Sequence, residues 1–250
     1  MSNKIPIFIG DIHSQHRKLQ DALEWVKSEF SSESTQLIFL GDCWDSRLDN
    51  YEKNYPPYSD PLQTYILIKK CVESHSSILL QSNHQDKLRR WLRWDLEGKK
   101  PNPVVPKEGL QYTISQFVDH LTIEEKVDLF EWLSALPYHS IINCYDSQHQ
   151  QLMTFLCSHA YFNIETNVEQ PCEKHKDQAL YGLLTRDKKR VRWWQDDSPI
   201  SFYGQSAIRI VGHHHEVFKG KYQRVVDGGC GSTGGVLTIH IPEFDLWQDF

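Results

Sequence analysis

The sequence predicts an α/β fold, and three observations carry that prediction. Short apolar runs recur at "IPIFI" (5–9), "LIFL" (37–40) and "SILL" (77–80), each of strand length. The two gaps between them hold amphipathic stretches of helical period. Each run breaks off into polar residues, in "GDIH", "GDCWD" and "SNHQD" respectively. Parallel strands need long crossover connections, usually helices, and crossovers of one hand bring the strands' carboxyl ends to the same edge of the sheet. Asp11, His13, Asp42, Asp45, Asn83 and His84 are therefore expected to converge at that edge, where open α/β sheets bind their ligands.

The first helix is read from "HRKLQDALEWVKSEF", in which Leu19, Leu23, Val26 and Phe30 form one stripe with charges opposite. "PLQTYILIKKCVESH" supplies the second. The next stretch, "WLRWDLEGKKPNPVVPKEGLQYTI", is interrupted by prolines and reads as irregular, whereas "LTIEEKVDLFEWLSALP" opens on a capping box from Thr122 to Glu125 and stops at Pro137. Residues 95–137 are expected to form an inserted helical cap on a single domain of 1–250. From 138 the pattern turns to β. "YHSIINCYDSQHQQLMTFLC" predicts an antiparallel hairpin that ends in "SHAY". A short helix near 174–184 follows, then the strand "AIRIVG" running into "HHH", then two further strands in "RVVDGGCGSTGGVLTIHI".

A chain of 250 residues is long enough for one large α/β domain with a substantial core. Its net charge of -6 argues against a general nucleic-acid or membrane-surface binder. The six cysteines are scattered and show no C-x-x-C pair, which predicts reduced thiols. The first apolar stretch is too short for a secretory signal, and no later one approaches a membrane span. A cytoplasmic location is the expectation.

The strand ends together supply Asp11, His13, Asp42, Asn83, His159, His213 and His215, which offer carboxylate, imidazole and amide oxygen. Two divalent cations would fit this set. Manganese, iron or zinc accepts mixed nitrogen and oxygen donors, and a two-ion site needs a shared carboxylate. Asp42, from the central motif, is the natural bridge.

The series "GDIH", "GDCWD", "SNHQD", "SHA" and "VGHHH" resembles the motif order of the calcineurin-like metallophosphoesterase superfamily, and "DGGCGSTGGVLTIHI" is similar to the closing strands of its phosphoprotein phosphatase branch and of bacterial diadenosine tetraphosphate hydrolases. The likeness spans nearly the whole chain. It implies a four-layer α/β/β/α sandwich of two mixed β-sheets flanked by helices. It further implies that Asp11, His13 and bridging Asp42 hold one metal and that Asn83, His159 and His213 hold the other, with His215 completing the first. His84 matches the histidine that protonates the leaving group, and Asp45 the carboxylate that orients it. "GDCWDSRLD" has Ser46 where the branch carries arginine, so Arg47, one residue later, and Arg186, in "YGLLTRDKKR", are the candidates for holding phosphate.

The implied activity is phosphoester hydrolysis by a metal-bound hydroxide with no phosphoenzyme, and two ions, manganese first among them, are the implied cofactors. A phosphorylated substrate is the expected partner. A phosphomonoester of the kind removed by serine/threonine protein phosphatases comes first, and a dinucleoside polyphosphate or nucleotide second. A metal-binding scaffold without turnover is a third reading, prompted by the displaced arginines. Residues outside the motifs have plainer expectations. His214, between two proposed ligands, points away from them by strand alternation. Trp91, Trp94, Trp193 and Trp194 are core or cap packing. The tyrosine- and proline-rich loop 46–61 could wall the substrate cleft.

Overall fold

The computed structural model of the protein describes residues 4–31, 34–45, 59–74, 77–99, 108–146, 150–165, 168–184, 189, 191–231 and 235–250. Two sheets pack face to face. The first runs β11-β10-β1-β2-β3, with β1 (Ile5–Ile9), β2 (Thr35–Phe39) and β3 (Ile78–Leu79) parallel, and with β10 (Thr238–Ile241) and β11 (Leu246–Asp249) antiparallel on the β1 side. The second runs β4-β5-β7-β9-β8. Its central strands β5 (Gln151–Ser158), β7 (Gln205–Val211) and β9 (Gln223–Val226) are parallel, while β4 (His139–Asp146), β8 (Val217–Lys219) and β6 (Ile200–Phe202) pair antiparallel.

Alternation along the strands explains the layering. In β1 and β2, Ile7, Ile9, Leu37 and Phe39 face the helices, whereas Phe8, Ile38 and Leu40 enter the core between the sheets. There they meet Ile142, Phe155, Cys157, Ile210 and Val226 from the second sheet. Phe8 and Phe155 touch edge to face, with centroids 5.5 Å apart, across this layer. The helical layer on the first sheet comprises α1 (His16–Glu29), α2 (Pro61–Ser74), α3 (Asn83–Leu96), α4 (Glu108–Gln116) and α5 (Ile123–Ser134). On the second sheet's outer face the turn Trp193–Gln195 packs against Val211 and Val225, and Phe162 packs against Leu156 and Ala207; α6 (Glu173–Tyr181) is tied to the segment after β5, its Ala179 carbonyl accepting the Ala160 amide at 2.7 Å. This is the sandwich of two mixed sheets flanked by helices that the motif resemblance implies.

Several expected elements form where the local chemistry places them. The Thr122 hydroxyl accepts from the Glu125 amide at 3.2 Å and the Glu125 carboxylate from the Thr122 amide at 2.8 Å, completing the capping box. The hairpin pairs His139 with Ser158 through Asp146 with Gln151. The stretch 91–114, expected to be irregular, is helical at both ends: its first six residues complete α3 and its last seven lie in α4. From Asn83 to Leu96 the chain is the helix α3, with Ser82 as its N-cap, Asp86 in its first turn, and Leu88 and Leu92 buried one turn apart. Two strands in the closing segment also part company: β9 belongs to the second sheet and β10 to the first.

Helices over 108–134, within the expected cap segment, contribute Leu110, Ile114, Phe117, Val118, Leu129 and Leu133 to the same buried cluster as α1, α2 and α3. No cysteine is in a disulfide. Among the described residues no helix is long and apolar enough to cross a membrane.

Candidate metal centre

The register fixes where the polar turns emerge. Ile9 lies beside Phe39 and Phe39 beside Leu79, so the carboxyl ends of β1, β2 and β3 are level. The parallel strands of the second sheet release His159 after β5, His213 after β7 and Asp227 after β9 at the same edge. Backbone bonds stitch adjacent turns together. The Asp42 carbonyl accepts the amides of Ile12 at 3.1 Å and His13 at 2.8 Å, and the His159 carbonyl accepts that of Gly212 at 2.8 Å.

These turns are strained. Of the nine non-glycine residues with positive φ among the described residues, six are here: His13, Ser14, Asp42, Asp45, His213 and His215. Such conformations cost on the order of 1 kcal/mol or more each and persist only where the surrounding structure holds them. Gly41, at φ +117°, explains the glycine of "GDCWD": a Cβ there would stand 2.6 Å from Ser82 Cβ and 2.8 Å from His159 Nδ1.

Two buried donor sets result, and they share one residue. Asp11, His13 and Asp42 form the first, Asp42, His159 and His213 the second, each within 4.8 Å. In the first, His13 Nδ1 lies 2.6 Å from the Asp45 carbonyl, which can only accept, so the neutral ring carries its hydrogen on Nδ1. Its Nε2 lone pair then faces Asp42 Oδ2 at 3.7 Å and Asp11 Oδ2 at 3.9 Å. His159 repeats the device. Nδ1 is 2.9 Å from the Leu40 carbonyl, which turns Nε2 toward Asn83 Oδ1 at 2.9 Å, His213 Nδ1 at 2.9 Å and Asp42 Oδ1 at 3.3 Å.

Acceptors gathered this closely repel one another unless something positive lies between them. Donors about 2.1 Å from a common ion stand about 3 Å apart along an octahedral edge, the spacing found around His159 Nε2. Asp42 Oδ1 is buried and accepts no hydrogen bond among the described residues. Burial alone would raise the Asp42 carboxyl, but the facing imidazoles of His159, His84 and His13 outweigh it and hold the group well below the usual carboxylate range. Asp42 is thus an ionised, buried carboxylate with His13 on one side and His159 and His213 on the other. The residues present fit two divalent cations. Cys43, beside it, belongs to neither donor set, and burial and then the nearby Asp42 and Asp11 push its thiol well up.

His84 stands at the mouth, its side chain 23% exposed, with Nε2 3.8 Å from Asp42 Oδ2. Its Nδ1 is 2.6 Å from Asp45 Oδ2. The other expected residues divide. Asn83 joins the second set through His159, whereas His215 is exposed and in neither set; its amide donates to Asp227 Oδ2 at 2.5 Å. His214 turns away as expected, to the Ala160 carbonyl at 2.9 Å and the Trp194 ring at 3.9 Å. Arg47, Arg186 and most of the 46–61 loop lie outside the described residues.

Three supporting residues escaped sequence reasoning. Asp227 receives the amides of His215 and Gly229 and so braces the 213–215 turn. Gln85 reaches the Cys43 amide at 3.4 Å and the Leu80 carbonyl at 2.9 Å, and its place three residues after Ser82 was a readable capping signal. Thr113 bonds to Asp45 from 68 positions away, which no local pattern announces.

No protein-family model matches the chain, and no curated protein matches its sequence. Solved structures do match its shape. One, described as a "putative diadenosine tetraphosphatase", superposes with a TM-score of 0.59 at 16% identity over 99% of this chain and 93% of its own. Another, hypothetical protein PH1004 from Pyrococcus horikoshii OT3, gives 0.52 at 13% over 98% and 86%. At these identities the likeness shows the fold, an α/β sandwich of two mixed sheets flanked by helices, and no more.

Proposed function

We propose that this chain is a metal-dependent phosphoester hydrolase with a dinuclear centre. One observation carries the reading: two buried donor sets share Asp42 and open beside a histidine–carboxylate pair. Asp11, His13 and Asp42 would hold one cation, and Asn83, His159, His213 and Asp42 the other. When bound, two such ions neutralise phosphate oxygens and make water a usable nucleophile at neutral pH.

The protein's own groups supply the rest. The Asp45 and Leu40 carbonyls fix the tautomers and tilt of His13 and His159. The Asp45 carboxylate holds the hydrogen on His84 Nδ1, leaving Nε2–H for the substrate. As the P–O bond breaks, its electron pair stays on the departing oxygen. That oxygen takes the proton from Nε2, and the ring is left neutral with its Nδ1–H still on Asp45. Arg47 and Arg186 are the candidates for gripping the phosphate.

For substrate we favour a phosphomonoester of the protein-phosphatase kind, with manganese, iron or zinc as the ions. A second reading, a dinucleoside polyphosphate, is favoured by the shape match to the structure described as a putative diadenosine tetraphosphatase. The test is the purified protein with manganese on para-nitrophenyl phosphate, then on a phosphopeptide and diadenosine tetraphosphate. Hydrolysis of the monoesters supports the first reading. A strong preference for the dinucleotide moves the assignment to the second, and ions bound with no hydrolysis at any pH leaves a scaffold.

A further inference from the structure

We propose that Thr113, on α4, is a positioning residue for the proton-donating pair Asp45–His84. The inference rests on the reading of His84 as proton donor. Thr113 is fully buried, and its Oγ1 grips Asp45 at two points. It lies 3.0 Å from the carboxylate Oδ1, to which it donates, and 3.2 Å from the Asp45 amide, from which it accepts. The opposite carboxylate oxygen, Oδ2, holds His84 Nδ1 at 2.6 Å. The chain of contacts therefore runs from a helix in the 95–137 segment, through both oxygens of one carboxylate, to the ring beside the shared Asp42.

The hydroxyl is not there for packing. Leu110 and Ile114 on α4 and Phe117 just past its end are buried in the apolar core, and valine at 113 would fill the same volume without a polar atom to bury. Nor does the helix need it, since the one hydroxyl hydrogen goes to Asp45 rather than to the Gly109 carbonyl, which lies farther off at 3.3 Å, and a mid-helix hydroxyl is mildly destabilising. Asp45, by contrast, needs holding. At φ +64° its backbone is in the left-handed region, and its carbonyl also fixes His13. Binding both the amide and the carboxylate sets its backbone and its rotamer together. Without the hydroxyl the carboxylate is free to swing, and His84 loses its orientation.

The test compares wild type, Thr113→Val, Thr113→Ser and His84→Ala, each loaded with manganese, on phenyl phosphate and para-nitrophenyl phosphate. Phenolate, the conjugate base of an acid of pKa about 10, leaves poorly without a proton, while nitrophenolate scarcely needs one. Thr113→Val should lower kcat on phenyl phosphate by about tenfold or more, with a much smaller loss on the nitrophenyl ester and with KM and bound manganese unchanged. Thr113→Ser should restore most of the loss. Equal losses on both esters, or none, overturn the inference, provided His84→Ala shows the leaving-group dependence. If His84→Ala lacks it, the reading of His84 as proton donor fails instead. Should Thr113→Val not fold, Thr113→Ala and Thr113→Ser give the same contrast: alanine selectively slow on phenyl phosphate and serine near wild type supports the inference, and uniform losses sink it.

Discussion

Mild acid should weaken this fold through His139, a residue outside the metal centre. It opens β4 opposite Ser158, is 2% exposed, and sets its ring edge-on against Phe162 at 5.2 Å. Neither ring nitrogen has a hydrogen-bond partner among the described residues. Burial, and secondarily the charge of His175, lowers its pKa from 6.5 to about 4. Between these values the unfolded chain binds a proton here and the folded chain does not, so stability falls as the pH drops below 6.5 and the loss levels off near 4. At about 1.4 kcal/mol for each tenfold change in proton affinity, the full loss is about 3 kcal/mol, with about 2 kcal/mol of it gone by pH 5. His139→Phe keeps the edge-on ring contact and removes the proton site. Urea denaturation of wild type and variant at matched manganese from pH 7.5 to 4.5 should show the variant losing less stability by that amount. Since the two orphaned nitrogens also disappear, the variant should be no less stable than wild type at pH 7.5. Parallel pH profiles for the two proteins would refute the reasoning.

Other expectations concern the centre itself. His84→Ala should lower turnover by about 100-fold or more while both ions stay bound, measured as kcat beside elemental analysis of the same sample; loss of metal would mean that its role is misassigned. Asp42→Ala removes a carboxylate from both donor sets and should cut bound manganese from two ions per chain to one or none, read by the same analysis. Gly41→Ala drives a methyl into Ser82 and His159 at a backbone angle alanine resists. It should cost about 2 kcal/mol or more in denaturation and weaken metal retention by calorimetry.

Much of this architecture was legible because the signals are local. The runs before Asp11, Asp42 and Asn83 are strands with level ends, and parallel pairing makes their convergence a geometric necessity. The Thr122 capping box and the 138–157 hairpin were likewise readable from neighbouring residues. The helix α3 was missed because its apolar stripe is thin. Buried Leu88 and Leu92 sit among arginines, and the Ser82–Gln85 cap was overlooked. The short strands β6, β8 and β11, three to four residues each, carry too little periodicity to declare themselves. What no local pattern holds is support from afar, such as Thr113 under Asp45, or the buried setting of His139, whose cause is tertiary.

The wiring of the first sheet sets an order of assembly. Gly10 donates its amide to Thr238, and Asp11 receives the amide of His213, 202 positions downstream. The earliest ligand turn is thus closed by residues that leave the ribosome more than 200 positions later. Until these emerge, the amino-terminal strands have nothing on one flank and the carboxylates lack their clamp. If the centre holds cations as proposed, their capture waits for residue 213, and a chain interrupted before it should bind none.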